Sequence, residues 1–483
     1  MWEGSGAFRP SGSGEPFSLP MPPPNITGKL HLGHAMFTTY QDILTRYKRM
    51  QGFGALWLPG TDHAGLATQT KLENEMQKRG IEISRTNFDQ FAAEWRTSTT
   101  DHITTQLRCM GASCDWSRER YTLDASYSNA VTEALKRCHE AGMLYYRDGQ
   151  WWLDMSVLAK DILDCYRRGE IKIIPEHQGK TLCHFLENIE PWCISRQIWW
   201  GHRLPIWRKD DQIFIGNDPG GAIQEEDCLD TWFSSALWPF AIHGWSKQTD
   251  DLEKFYPADL IETGDDILFF WCARMLMMGK LLTGQLAFKT IFLHGLMRDE
   301  KGRKMTKSLG NGIDPLEIIT DYGTDGLRFY LAENCSPGMD INLDYQALDS
   351  GKRFANKIWQ ASRFCLGHYC RTGDQQIMAS HSDDQKLLTE LGEIQASITA
   401  HLDAYEFKQA AIALRLFIKD RFCDWYIEAA KDRLYADDPK ALSTLFKAWR
   451  AWLIMLHPFM PFITERIWQS FNENMLITTR WPS

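Results

Sequence analysis

The chain has 483 residues, 44% of them hydrophobic, with mean hydropathy −0.37 and a formal net charge of −9. That length accommodates two to four domains with a large core, and no run reaches the ~18 apolar residues that a membrane span needs. The 12 cysteines include no Cys-x2-Cys pair, so they read as reduced, buried thiols and no structural zinc is expected.

The first residues show no charged segment leading into an apolar one, so no secretory signal is expected and the protein reads as a cytoplasmic monomer. Residues 1–15, rich in Gly and Ser, read as an irregular lead-in. Pro16 to Pro20 is short and apolar enough for a buried strand, and Ala35 to Met50 carries apolar residues at helical spacing. Between them lies Met21-Pro-Pro-Pro-Asn-Ile-Thr-Gly-Lys-Leu-His-Leu-Gly-His34. A helix opening there offers unpaired backbone N–H groups to a phosphate, and Gly33 admits close approach. His31 and His34, three apart, share a face of the first turn and can donate to phosphate oxygens.

Ala55 to Leu58 is a second short strand, with Asp62 and His63 at its carboxyl end, where open α/β sheets place ligands. Residues 85–145 read as mainly helical. From 146 to 190 the pattern becomes small and mixed, with a strand at Ile171 to Pro175, and reads as the stump of an insertion. The sheet resumes near Pro191-Trp-Cys-Ile-Ser-Arg-Gln-Ile-Trp-Trp-Gly-His-Arg203, and a second small insertion spans about 207–227. Ile261 to Trp271 is a strand, a Gly-Asp-Asp turn and a helix start. Asp266 there suits both hydroxyls of a ribose, or else caps the helix. Thr290 to Met297 is the last strand before Asp299-Glu-Lys-Gly-Arg-Lys-Met-Thr-Lys-Ser-Leu-Gly-Asn311. That loop presents Lys304 and Lys307 as mobile charges for a polyphosphate, or is simply a solvated basic loop. Beyond 342 only amphipathic runs remain (352–371, 384–403, 407–435, 439–456), an antiparallel helical bundle in which Pro458 and Pro461 break the last run. Lys352, Arg353, Lys357, Arg363 and Arg371 face only Asp374, which makes a basic stripe for nucleic acid or a solvated helix face.

His31-Leu-Gly-His34 and Lys304-Met-Thr-Lys-Ser308 together resemble the HIGH and KMSKS signatures of class I aminoacyl-tRNA synthetases. The combination PPPNITG, GTDHAG, WCISRQIWWGHR, DTWFSSALW and FCDWYIEAAK resembles the valyl branch of that family over nearly the whole chain. The resemblance implies an α/β Rossmann-like catalytic domain with a parallel sheet and a C-terminal all-α anticodon-binding bundle. The division would be 1–145 and 191–341 for the two catalytic halves, 146–190 for a reduced insertion and 342–483 for the bundle. It also implies that ATP with Mg²⁺, valine and a tRNA of the valine type are the partners. His31, His34, Lys304 and Lys307 would stabilise the transferring phosphate. Gly33, Gly264, Asp266, His294, Gly295, Leu296, Met297 and Ser308 would hold ATP, with 294–297 clamping adenine through the backbone. Pro24, Asn25, Asp62, Trp200 and Trp232 would bind the amino acid, Asp62 through its α-ammonium and the tryptophans around its side chain. Lys352, Arg353 and Lys357 would touch tRNA.

Three departures from the family pattern matter. No editing insertion fits between Arg147-Asp-Gly and Gln150, and the family's C-terminal coiled coil is absent. Cys228 stands where an aliphatic neighbour of the pocket is expected. Besides a synthetase without editing, two readings stay open: a paralogue feeding another pathway with activated or tRNA-linked amino acid, and a retired RNA-binding module.

Overall fold

The computed structural model describes residues 1–305, 309–372 and 377–482, with backbone alone at 371–372. Five parallel strands organise its first part: β1 (Pro16–Pro20), β2 (Gly54–Leu58), β3 (Lys172–Ile174), β4 (Ala258–Gly264) and β5 (Phe288–His294). β1 pairs with β2 (Leu19 opposite Trp57), and β5 is flanked by β4 (Gly264 opposite His294) and β3 (Ile291 opposite Ile173). β1 and β4 lie side by side, but here a side chain replaces the ladder: the Asp259 carboxylate accepts the Ser18 N–H at 2.8 Å. The chain leaves β1 towards β2 on one side and β4 towards β5 on the other. The carboxyl ends therefore diverge and open a crevice at the switch point.

The expected insertion stump is not free-standing. Its strand, β3, joins the central sheet beside β5, because the run Ile171 to Ile174 is apolar enough to be buried there. Residues near 191–203, expected to re-enter that sheet, instead form short antiparallel strands, Trp192–Cys193 on Gln150–Leu153 and Ser195–Arg196 on Cys228–Leu229. Between Arg147 and Gln150 the chain turns in two residues, Asp148 and Gly149, both at positive φ (52° and 80°). This is the primed geometry that suits a tight hairpin.

α1 (Leu32–Gln51) follows β1 and ends on Gly52 at φ 100°, with the Phe53 N–H on the Lys48 carbonyl. Its apolar stripe is only half of its burial. Gln41, Asp42, Thr45 and Arg46 are buried as well, because one face meets the sheet and the other meets the C-terminal helices. Those helices are α2 (Thr324–Asn334), α3 (Tyr345–Thr372), α4 (Ser382–Asp403), α5 (Phe407–Leu416), α6 (Pro439–Leu456) and α7 (Pro461–Trp468). Pro461 does not merely break a helix. It opens α7, where its missing N–H costs nothing. One apolar core runs without interruption from β1 and α1 into this bundle, and Tyr40 of α1 stacks on Phe407 at 5.7 Å. The lead-in is ordered too: Trp2 lies on the Arg46 guanidinium at 4.7 Å and donates its indole N–H to Glu465 at 3.0 Å.

Candidate active site

The crevice begins at the opening of α1. His31 is the N-cap, and its Nδ1 accepts the Gly33 N–H at 3.1 Å. His34 returns the bond, its Nδ1 accepting the His31 N–H at 3.1 Å. The Leu32 N–H goes to the Ile313 carbonyl, and those of His34 and Ala35 go to the His31 carbonyl. The expectation of unpaired amides waiting for phosphate is thus corrected: the histidines consume them. In exchange, a neutral ring that accepts at Nδ1 carries its proton on Nε2, so each imidazole is set as an Nε2 donor. The rings meet edge to face at 4.1 Å. Gly33 serves the ring before any ligand, since a Cβ there would lie 2.8 Å from His31 Cε1.

Across the switch point, β4 ends at Gly264, where an added Cβ would meet Asp266 Oδ1 at 2.8 Å and His294 Nε2 at 3.7 Å. Asp266 is half-exposed and pairs with Lys304, Nζ to Oδ2 2.9 Å, which joins the strand end to the lysine loop. Lys307 and Ser308 lie outside the described residues. The loop is pinned at its base by Asp299, which no motif singled out. Its Oδ1 accepts the N–H groups of Lys301 and Arg303, and its Oδ2 accepts the Arg303 and Asn311 side chains. Asn311 and Arg303 together hold this carboxyl well below its ordinary range. Gly295 admits the backbone of Met339 and Asp340, 2.2 Å from where its Cβ would sit. The expected adenine clamp changes at Leu296: its N–H donates to Asp340 Oδ1 at 2.6 Å and its carbonyl takes the Ile341 N–H. Both backbone groups of Leu296 are thus engaged, while His294 ends β5 and Met297 opens the short strand that follows.

On the other side, Asp62 and Pro24 are joined by backbone, Asp62 N–H to the Pro24 carbonyl at 2.9 Å, with Pro24 buried and Asn25 exposed. Asp62 is not the open carboxylate that was expected. Its Oδ1 accepts the Ala64 N–H and the Thr122 hydroxyl and lies 3.2 Å from His63 Nδ1. Its Oδ2 accepts the Ser235 hydroxyl at 2.7 Å and has capacity for one more donor. Burial pushes its pKa up, but the bonds from His63, Ala64 and Ser235 outweigh that and lower it. Trp200 donates to the His63 carbonyl at 2.8 Å. Trp232 stacks on Phe270 at 5.9 Å and lines a cavity of about 620 Å³ with Trp192 and Arg274. None of the other predicted site residues lines that cavity. Cys228 is buried beside Gly201 and His63, and burial pushes its thiol up to about 11.

The family description "tRNA synthetases class I (I, L, M and V)" matches residues 1–149, 146–218 and 211–344, and "Anticodon-binding domain of tRNA ligase" matches 384–483. The chain belongs to the class I tRNA synthetases. As a synthetase it is similar to the valine–tRNA ligase of Carboxydothermus hydrogenoformans, 33% identical over all of this chain and 78% of the relative. That of Thermotoga maritima is 32% identical, over 100% and 79% respectively. The first alignment runs over 688 positions although this chain has 483 residues, so the relative carries stretches with no counterpart here. In fold the synthetase resembles a LeuRS–tRNA–LeuAMS ternary complex from Agrobacterium radiobacter K84 (TM-score 0.81, 16% identity, 100% of this chain and 89% of that one). It also resembles Mycobacterium tuberculosis methionyl-tRNA synthetase in complex with methionyl-adenylate (TM-score 0.78, 20% identity, 94% and 93%).

The three tRNA candidates of the synthetase are engaged by its own groups. Lys352 donates to the Asp321 carbonyl at 2.7 Å, Arg353 pairs with Asp349 at 2.7 Å and Lys357 with Asp424 at 2.6 Å. The stripe is therefore less basic than its sequence, and Arg371 and Asp374 fall where side chains are not described. Among the described residues no group of three or more His, Cys, Asp or Glu side chains could hold a metal ion, and no helix is long and apolar enough to cross a membrane. Sequence reading passed over Glu262, a carboxylate buried inside a strand next to His294, although a charge in so apolar a run was a visible signal.

Proposed function

We propose that this synthetase activates valine with ATP and transfers it to a tRNA of the valine type, without hydrolysing mischarged product. What carries the reading is that two histidines set as Nε2 donors follow β1, the Asp62 carboxylate follows β2 and the Asp266–Lys304 pair follows β4, each beyond the carboxyl end of a parallel strand. The valine carboxylate attacks the α-phosphorus and pyrophosphate leaves. The substrate is its own nucleophile, so the enzyme needs position and charge, not a base. His31 and His34 donate to phosphate oxygens, Lys304 neutralises charge, and Asp266 accepts from the ribose. Asp62 takes the α-ammonium on the open side of Oδ2. A hydroxyl of the terminal tRNA ribose then attacks the acyl carbon and AMP leaves. Mg²⁺ would enter on the ATP phosphates and supply charge neutralisation there.

Support for missing hydrolysis comes from the two-residue turn at Asp148–Gly149, where the family match also breaks, together with the unmatched stretches of the relatives. A hydrophobic pocket cannot strongly reject threonine, an isostere of valine, so correction would need a second site. Valine-dependent ATP–pyrophosphate exchange and charging of bulk tRNA test the activity. Preformed threonyl-tRNA of the valine type should decay no faster with enzyme than in buffer. Rapid enzyme-dependent deacylation would overturn the absence of editing, and exchange with no amino acid would overturn the activity.

A further inference from the structure

Behind the nucleotide crevice runs a buried polar chain that none of the signature motifs includes. Trp57 on β2 donates its indole N–H to Gln41 Oε1 at 2.8 Å. Gln41, on α1, donates its amide to Glu262 Oε2 at 2.7 Å and to the Glu262 carbonyl at 3.2 Å. The other carboxylate oxygen, Oε1, meets Nδ1 of His294 on the neighbouring strand. Glu262 is 2% exposed and His294 8%. A carboxylate only accepts, so the proton in this contact belongs to His294 Nδ1, and Nε2 is the ring atom left to face outward. It points to the strand end, near the place that Gly264 leaves open and beside Asp266. Tyr40 lies edge-on against the same ring at 6.2 Å and closes its inner side.

Burying a carboxylate in the sheet is costly unless each lone pair is met, and a purely apolar strand would fold without it. Its partners here come from α1 and β5, and Trp57 of β2 holds Gln41 in turn, so the elements that flank the switch point all take part. We propose that Glu262 is a positioning residue for the nucleotide: by accepting from Nδ1 it holds His294 with Nε2 turned to the ATP at Gly264 and Asp266. The inference rests on the reading of this crevice as the ATP site. Gln41 and Trp57 complete the support, so the ring's orientation is held by a chain that runs across the sheet face of α1.

The test is ATP binding by titration calorimetry on the full chain as wild type, Glu262→Gln, Glu262→Ala, His294→Ala and the double variant Glu262→Ala/His294→Ala, with melting curves for each. Glu262→Ala should weaken ATP about tenfold, the loss of one oriented hydrogen bond. Glu262→Gln keeps shape and an acceptor, so it should recover part of that loss. The double variant should bind no more weakly than His294→Ala alone, because Glu262 acts only through the ring. The KM for valine in the exchange reaction should move less than twofold. Wild-type affinity in both single Glu262 variants, or additive losses in the double variant, would overturn the proposal. If Glu262→Ala does not fold, Glu262→Gln and His294→Ala decide the matter. Wild-type protein that binds ATP but activates no amino acid would sink the proposed function while leaving this result standing. Wild-type protein that binds no ATP would sink both.

Discussion

Asp42→Asn should be among the most destabilising changes that preserve shape. The Asp42 carboxylate is fully buried in α1 and takes Arg46 Nε and Arg328 Nη2, each at 2.7 Å, and the Ser113 N–H at 2.8 Å. Burial pushes its pKa up, but the two guanidiniums more than reverse that and lower it. Arg46 also reaches the Gly111 carbonyl and His457, and Arg328 reaches the carbonyls of Met110, Pro458 and Phe459. This anion therefore lies between two buried cations that tie the histidine-bearing helix to the turn before α7. An asparagine of the same size removes the carboxylate that both cations share and leaves Asp325, itself pushed up to about 6, as the remaining buried acid near them. Breaking a buried pair costs about 3–5 kcal/mol, about a fifth or more of the roughly 5–15 kcal/mol that keeps a domain folded. Urea titration read by tryptophan fluorescence and circular dichroism, with coincident transitions, gives the difference. A loss below about 1 kcal/mol would refute the reasoning, because it would mean that water reaches these guanidiniums and screens them as it does at a surface.

Two further outcomes test the site and its support. Gly33→Ala drives a Cβ into the His31 ring and should lower the exchange rate about 10²-fold, as a misplacement of about 1 Å does, with little change in melting temperature; wild-type exchange would show that ring placement is unimportant. Asp325 caps α7 by accepting from the Phe462 and Ile463 N–H groups, yet burial, only partly offset by Ile463, Arg328 and Phe462, pushes it up to about 6. Its folded state holds the proton longer than the unfolded chain does. The stabilisation is thus complete below the ordinary carboxylate range and is lost as pH rises to about 6. Melting temperatures of wild type minus Asp325→Asn should fall across that window and level off above it, and a flat difference would reject the shift.

The elements that frame the candidate site were legible early because they depend on short local patterns. A buried run, a Pro/Gly turn and a helix opening at His31 need only neighbours in sequence, and so do the Gly264-Asp-Asp turn and the strand ending at His294. The lysine loop was legible for the same reason, as far as Lys304 is described. What the local pattern could not express was where each donor's bonds go. His31 and His34 absorb the amides that seemed destined for phosphate, because a side chain two or three residues away competes with any ligand for the same N–H. Asp62 is drawn into Ala64, Thr122 and Ser235, and Leu296 into Asp340 and Ile341, through contacts that span up to 173 residues.

The sequence by itself determined that β1 is followed by a helix bearing two histidines and that the C-terminal third is helical. Those follow from apolar spacing and from the Pro and Gly that bound the elements. Only the tertiary structure decided that β3 belongs to the central sheet, that the bundle shares its core with α1, and that Glu262 stands behind His294. Each of these is a pairing between distant strands or helices, chosen by which apolar faces bury one another and which buried polar groups find partners, and no periodicity within a segment carries that information.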